Sequence, residues 1–329
     1  MKKTVLFISP AFFGYEKNIR DAIRENGYEV DYFDERPSNN AFMKALVRVQ
    51  RKSINFIIEK HFDKISQQIK NKKYDYFFLI KGEAIPANFI LEFKKSNPSA
   101  KLIYYTYDSF NNNTNHSYHI QKHFDSCYSI DFRDVENNPS LKLKHLFYSK
   151  DFLVEDANQS VQRPYEISFV GTLHSNRYSV MKNAFELFKN YYLFLYSPAK
   201  WWFLYNKVFN KDYKNIKWST ISFNKLSLSE VASIFHKSQS VLDIQRYGQA
   251  GLTMRTFEVL ASGSLLITTN QFIQYADFYN ANHIVILPED GVISETNVEE
   301  IKSKLILEKT KLPNFEKYYV NTWVREFFE

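Results

Sequence analysis

Apolar positions along the chain fall into two kinds of run. Short unbroken blocks at residues 4–9, 74–80, 101–107, 126–130, 145–148, 166–171, 191–196, 241–244, 265–269 and 283–287 carry no helical stripe, and they predict buried strands. Residues 28–33 alternate and predict one more strand. Between these blocks the apolar positions recur at helical spacing. Ile19, Ala22 and Ile23 share a face of a helix that stops at Gly27. Residues 226–235 predict a helix capped by Ser227, with Glu230 at the capping-box position. Residues 298–307 and the aromatic tail 315–328 predict two further helices. Strands alternating with helices imply an α/β chain with parallel sheets. A strand feeding a glycine loop and then a helix occurs twice, at residues 4–14 and 166–177, as two stacked nucleotide-fold halves require. Residues 150–164 lose periodicity and become polar, which places a linker there. The expected domains are residues 1–155 and 156–312, with 313–329 as a last helix crossing back to the first domain.

One long segment is basic as well as helical. In residues 38–73, Phe42, Leu46, Val49, Ile54, Ile57 and Ile58 can share a face, with Lys44, Arg48, Arg51, Lys52, Lys60 and Lys64 around the rest. This reads as a solvated face on a core-packed helix, or as a surface that docks on anionic lipid.

Residues 240–270 concentrate the candidate chemistry. Val241, Leu242 and Ile244 end a buried strand, and Gly248 and Gly251 bracket a loop that lets backbone approach a ligand. Thr253 is the expected N-cap of the next helix, Leu252, Phe257, Val259 and Leu260 its apolar face, and Gly263 its C-cap. A helix start presents unpaired N–H groups and suits an anion. Arg255 adds a fixed charge in the first turn, and Glu258 follows one turn later, where it can accept from sugar hydroxyls or simply pair with Arg255. In the first half, Glu83 and Asp108 follow predicted strands, where open parallel sheets place ligands. They are the candidate general bases or acceptor-binding carboxylates, with a turn or N-cap role as the alternative. Gly14 sits in the first glycine loop. His119 and His123 are four apart, but third and fourth ligands are not apparent, so no metal is expected. His116 is assigned to the cleft.

The pattern Gly251-Leu252-Thr253, Glu258, Leu260, Gly263, Ile267, Thr269 resembles the donor-binding segment of GT-B glycosyltransferases, most of all CgeB-like proteins and enzymes that build bacterial surface polysaccharides such as lipopolysaccharide and capsule. The aromatic-Asp108-Ser109 ending and the Phe169-Val170-Gly171 opening are similar to the same group. The resemblance implies two Rossmann-like domains whose parallel sheets face each other across a cleft. It implies a nucleotide-sugar donor, with Glu258 on the ribose and Gln249, Gly251, Leu252, Thr253, Arg255 and Thr256 around the diphosphate. Gly171, His174 and Arg177 would meet the same diphosphate. Many retaining members carry a second glutamate eight residues before the first; here that position is Ala250.

Composition narrows the setting. The chain has 329 residues, enough for about two domains, and its 44% hydrophobic and 24% charged content is that of a globular protein. The single Cys127 forms no internal disulfide, which fits a reducing compartment. No signal peptide is visible and no apolar run approaches a membrane span, so a cytoplasmic location is expected, with the inner face of the cell membrane as a docking surface. The net charge of +7 suits phosphorylated ligands or anionic membranes, and no zinc-ligand cluster, RNP-like motif or basic-region heptad argues for nucleic acid. Residues 197–211, dense in aromatics and lysines, suit a membrane interface or a helix packed into its own core. The expected activity is metal- and cofactor-independent glycosyl transfer to a lipid-linked or lipopolysaccharide-type glycan. A nucleotide-sugar 2-epimerase and a non-catalytic nucleotide-sugar-binding scaffold are the alternatives.

Overall fold

The computed structural model describes residues 2–38, 51–110, 115–154, 162–173, 177–245, 248–307 and 312–329, with residues 51, 52, 115, 177 and 179 described by their backbone alone. The chain divides into two compact units, one of residues 1–146 with 317–329 and one of residues 147–316. Each is built on a six-stranded sheet whose pairings are all parallel.

In the first unit the strands are β1 (Thr4–Ser9), β2 (Glu29–Asp34), β3 (Tyr76–Ile80), β4 (Lys101–Thr106), β5 (Ser126–Ser129) and β6 (Leu141–Leu143), in the order β2-β1-β3-β4-β5-β6. β1 and β3 are buried on both faces, which explains their unbroken apolar runs. Helix α1 (Tyr15–Glu25) turns Ile19, Ala22 and Ile23 inward, as its spacing predicts. Helix α2 (Asn55–Ile69) buries Ile58, Phe62 and Ile65, whereas Ile57 is exposed, so its core stripe differs from the expected one. The expectations for Phe42, Lys44, Leu46, Arg48, Val49 and the side chains of Arg51 and Lys52 lie outside the described residues. Among the described residues the remaining α-helices of this unit are α3 (Ala87–Ser96), α4 (Asn115–Ile120), α5 (Phe132–Asn137) and the C-terminal helix Val320–Phe328. The C-terminal helix buries Trp323, Val324, Phe327 and Phe328, with Trp323 Nε1 donating to the His145 carbonyl at 2.7 Å.

The predicted strand at 145–148 does not form; the edge place is taken by Leu141–Leu143, in register with Cys127 to Ser129. His145 O instead accepts from Trp323 and Tyr105, so its backbone is satisfied by side chains rather than by a ladder. The division between units also falls earlier than the polar stretch suggests, at 146/147. Phe152 is fully buried against Phe235, and Arg163 donates to Phe235 O, Ser238 O, Ser262 O and Ser264 Oγ. Much of the expected linker is therefore part of the second unit.

The second unit has β7 (Tyr165–Thr172), β8 (Tyr191–Tyr196), β9 (Ile221–Ser222), β10 (Ser238–Asp243), β11 (Leu265–Thr268) and β12 (Ile284–Ile286), in the order β12-β11-β10-β7-β8-β9. Its α-helices among the described residues are α6 (Arg177–Glu186), α7 (Lys200–Phe209), α8 (Leu228–His236), α9 (Met254–Ala261) and α10 (Glu295–Ile306). Ser227 and Glu230 form the predicted capping box on α8. Gly263 closes α9 with φ of 70°, where a side chain would be strained. Among the described residues no helix is long and apolar enough to cross a membrane.

Candidate functional site

Strand order decides where each unit leaves an opening. In the second unit the chain runs outward from β7 through β8 and β9, then returns to place β10 on the other side of β7. The loops after β7 and β10 therefore diverge, and the space above the strand ends is where ligands of open parallel sheets sit. Gly171 stands at the C-terminal end of β7, and the loop after β10 carries residues 248–253.

The loop after β10 is held from below. The Asp243 carboxylate, 4% exposed, accepts from Thr253 Oγ1 at 2.9 Å and from Thr256 Oγ1 at 3.4 Å. Thr253 is the N-cap residue by position, yet no side chain caps the start of α9. Its hydroxyl is spent on Asp243; the Thr256 amide turns to the Thr253 carbonyl at 3.1 Å, and the first turn lacks the side-chain cap the sequence assigned it. Asn270 Nδ2 donates to Gln245 Oε1 at 2.7 Å and to Gly251 O at 3.2 Å, and Gln249 Nε2 reaches the same carbonyl at 3.4 Å. Thr269 Oγ1 accepts from the Gln245 amide at 3.0 Å. Asp243, Gln245, Thr269 and Asn270 thus shape the loop; of these the sequence pattern includes Thr269 and misses the other three. Their signal is a polar residue ending an apolar strand.

Arg255 extends from the first turn of α9 toward β7. Its guanidinium carbon lies 5.5 Å from the Phe235 ring centre, and one terminal nitrogen lies 3.5 Å from where a Cβ on Gly171 would stand. Glycine at 171 therefore leaves room for this cation. Arg255 is half-buried, its Nε is enclosed without a hydrogen-bond partner among the described residues, and no ion pair joins it to Glu258 among them. A buried guanidinium N–H without an acceptor is unfavourable, and an arriving anion would relieve it. Glu258 is 2% exposed on the same helix, Leu252 and Thr256 are fully buried, and so is Ala250, where a longer acidic side chain would be enclosed. His174 and the Arg177 side chain lie outside the described residues.

In the first unit the order reverses between β1 and β3. The loop after β1 carries Phe12, Phe13 and Gly14, with Phe13 at φ 54° and Gly14 at φ 88°. Phe12 and Phe13 are 41% and 46% exposed, and Phe12 stacks on Tyr107 at 5.9 Å. The loop after β3 opens with Lys81 and Gly82, both at positive φ (79° and 71°), a conformation costly for the lysine. A side chain at Gly82 would strike Ile120 Cδ1 at 2.5 Å. Tyr104 donates to Lys81 O and Ser117 to Gly82 O, fixing the turn.

That turn delivers a buried charge cluster. Glu83, 1% exposed, accepts from Arg36 Nη2 at 2.9 Å and lies 3.3 Å from Lys81 Nζ. Lys81 Nζ is also 4.0 Å from Asp108, whose side chain is 29% exposed. Glu35 is fully buried, accepts from the Ala84 and Ile85 amides, and burial together with the Glu83 charge pushes its pKa up to about 7. His116 Nε2 donates to Ile85 O at 2.6 Å. Glu83, Asp108, His116 and Gly14 thus border the loops at one end of this sheet. Of the two carboxylates Asp108 reaches solvent, while Glu83 is engaged by two cations. Among the described residues no group of three or more His, Cys, Asp or Glu side chains could hold a metal ion.

No family model matches the chain, and no curated protein matches it. Solved structures do. A glycosyltransferase from Rickettsia africae is similar over 99% of this chain and 97% of its own, at 13% identity and TM-score 0.62. The Methanocaldococcus jannaschii UDP-GlcNAc 2-epimerase, solved with UDP-GlcNAc and UDP, is similar over 100% of this chain and 99% of its own, at 10% identity and TM-score 0.54. The spinosyn rhamnosyltransferase SpnG, complexed with thymidine diphosphate, matches over the full length of both chains, at 9% identity and TM-score 0.52. The chain therefore has the GT-B fold of two Rossmann-like domains with parallel sheets, which transferases and epimerases share.

Proposed function

We propose that the protein is a glycosyltransferase that takes a sugar from a nucleoside-diphosphate donor bound by the second unit. The observation that carries this is Arg255, half-buried at the uncapped start of α9, beside Gly171 at the strand-order reversal, with its Nε unsatisfied among the described residues. That arrangement suits a diphosphate, whose charge grows as the glycosidic bond breaks, and preorganised donors aimed at developing charge are a large catalytic term. Gly251 and the 252–256 backbone contribute amides, Gly171, His174 and Arg177 complete the anion site, Gln249 borders it, and Glu258 takes the ribose. The reading needs no metal, because guanidinium and helix start supply the positive field; full activity in EDTA is the expected result.

The first unit holds the acceptor, a lipid-linked or lipopolysaccharide- or capsule-type glycan, along Phe12, Phe13 and Tyr107, whose rings suit the apolar faces of sugars. Asp108 takes the proton from the acceptor hydroxyl, whose oxygen attacks the anomeric carbon while the diphosphate departs. Glu83 holds Lys81, which keeps Asp108 in place, and Gly14 and His116 shape the rim. Asp108→Asn should lower kcat by about 10²–10⁴ with donor affinity kept. Retained transfer by Asp108→Asn would remove that residue from the chemistry. A nucleotide-sugar 2-epimerase remains the rival on this fold, and donor epimerised in the absence of any acceptor would select it.

A further inference from the structure

Helix α7 is built the wrong way round for a helix of a globular domain. Of its ten residues, only Phe203 is buried, seated against Tyr213 and Trp218. Trp201, Leu204, Tyr205 and Val208 recur at helical spacing on the opposite face, and all are at least half exposed, Trp201 at 69%. Phe209 extends the stripe at 72% exposure, and Trp202 stands at its side. These side chains pack on one another, Trp202 on Tyr205 at 6.1 Å and Tyr205 on Phe209 at 4.8 Å, so they form one continuous patch. A patch of this kind marks a contact surface.

Charge around the patch selects the partner. Lys200, Lys211, Lys214 and Lys217 are exposed beside it, and Asp212 is the sole acidic residue in 197–218. Lys207 is turned inward and donates to Ile216 O at 2.7 Å. Tryptophan and tyrosine favour the boundary between lipid tails and headgroups, and lysines flanking an apolar stripe favour anionic headgroups. We infer that α7 is a membrane-docking helix, lying in the plane of an anionic bilayer with its aromatic face among the acyl chains and the four lysines at the phosphates. This inference does not rest on sugar transfer. It specifies a surface on the second unit, distinct from the basic segment 38–73.

The chain carries its own probe. Two of its four tryptophans, Trp201 and Trp202, are exposed at this patch; Trp218 is exposed too but packs on Phe203, and the fourth, Trp323, is fully buried in the first unit. The full-length protein is mixed with vesicles of phosphatidylcholine alone or with about one third phosphatidylglycerol. Expected are a blue shift of emission and co-sedimentation with the anionic vesicles, both weakened about tenfold or more in Trp201→Ser/Phe209→Ser. Lys211→Glu/Lys214→Glu/Lys217→Glu should lose the preference for anionic vesicles. These side chains are exposed, so the variants should fold and keep nucleotide affinity, which separates failure of docking from failure of the transferase reading. Unchanged emission with vesicles, equal sedimentation of wild type and Trp201→Ser/Phe209→Ser, or a lipid-free dimer that shields these tryptophans from acrylamide would overturn the inference.

Discussion

Replacing Arg255 by methionine tests the donor site most directly. Its guanidinium carbon lies 5.5 Å from the Phe235 ring, its Nε is enclosed without a partner among the described residues, and it forms no ion pair among them. Methionine keeps an unbranched apolar stem over Phe235 and removes the orphan donor. Among the described residues no acceptor is left unsatisfied by the change, so the melting temperature should hold or rise slightly. Ligand binding should behave in the opposite way. A charge-assisted hydrogen bond contributes about 1.5–3 kcal/mol, and each 1.4 kcal/mol is about tenfold in affinity. The Kd for uridine or thymidine diphosphate should therefore rise roughly ten- to a hundredfold in calorimetry. Arg255→Lys keeps the charge without the planar fork and should fall between. The contrast with the unsubstituted nucleoside matters, because uridine lacks the diphosphate and should not distinguish the three proteins. If a folded Arg255→Met protein binds the diphosphates as the wild type does, the anion site is elsewhere and the donor assignment fails.

Two further outcomes concern the framework around the sites. Glu35 titrates near 7 in the folded protein and near 4.5 when unfolded, so its contribution to stability is full below pH 4.5 and is lost as pH rises toward 7. Glu35→Gln, which keeps an acceptor for the Ala84 and Ile85 amides, should gain on the wild type across that window, by on the order of 3 kcal/mol at its upper end. Denaturation curves that stay parallel from pH 4.5 to 8 would count against the raised pKa. Arg163→Met leaves four acceptors in the second unit without their shared donor, and should cost about 2–4 kcal/mol by denaturant titration while diphosphate affinity in the surviving fold is kept. A loss below ~1 kcal/mol would show that water replaces the guanidinium.

How much of this was legible in the chain depends on the range of the interaction. Strands β1, β3 and β7, the inward face of α1 and the capping box of α8 follow from residues within one element, because burial on both faces and helical spacing write themselves into neighbouring positions. β8 forms where its apolar run predicts a strand, but only Leu195 of it is buried and Tyr191 is exposed. Three features did not follow. The run at 145–148 has the composition of a strand, but Tyr105 and Trp323, 40 and 178 residues away, satisfy the His145 carbonyl that a ladder would have used. Thr253 has the position of an N-cap, but Asp243 across the loop competes for its hydroxyl. Arg163 looks like part of a polar linker, and its four acceptors lie 72 to 101 residues further on.

The sites divide in the same way. Sequence alone determined that the chain alternates strand and helix in two nucleotide-fold halves, that Gly171 stands at a strand end, and that Arg255 and Glu258 stand in the first turns of the helix that follows the next such strand, since these are matters of local periodicity. It also marked the aromatic and lysine content of α7, without deciding which way the helix faces. Only the tertiary structure decided that Gly171 and Arg255 meet, that Glu83 is buried between Arg36 and Lys81 while Asp108 stays open, and that Phe203 is the one buried residue of α7. The physical reason is that strand order and helix orientation are set by the total surface buried and by pairing of polar groups distant in sequence, quantities that no local window contains.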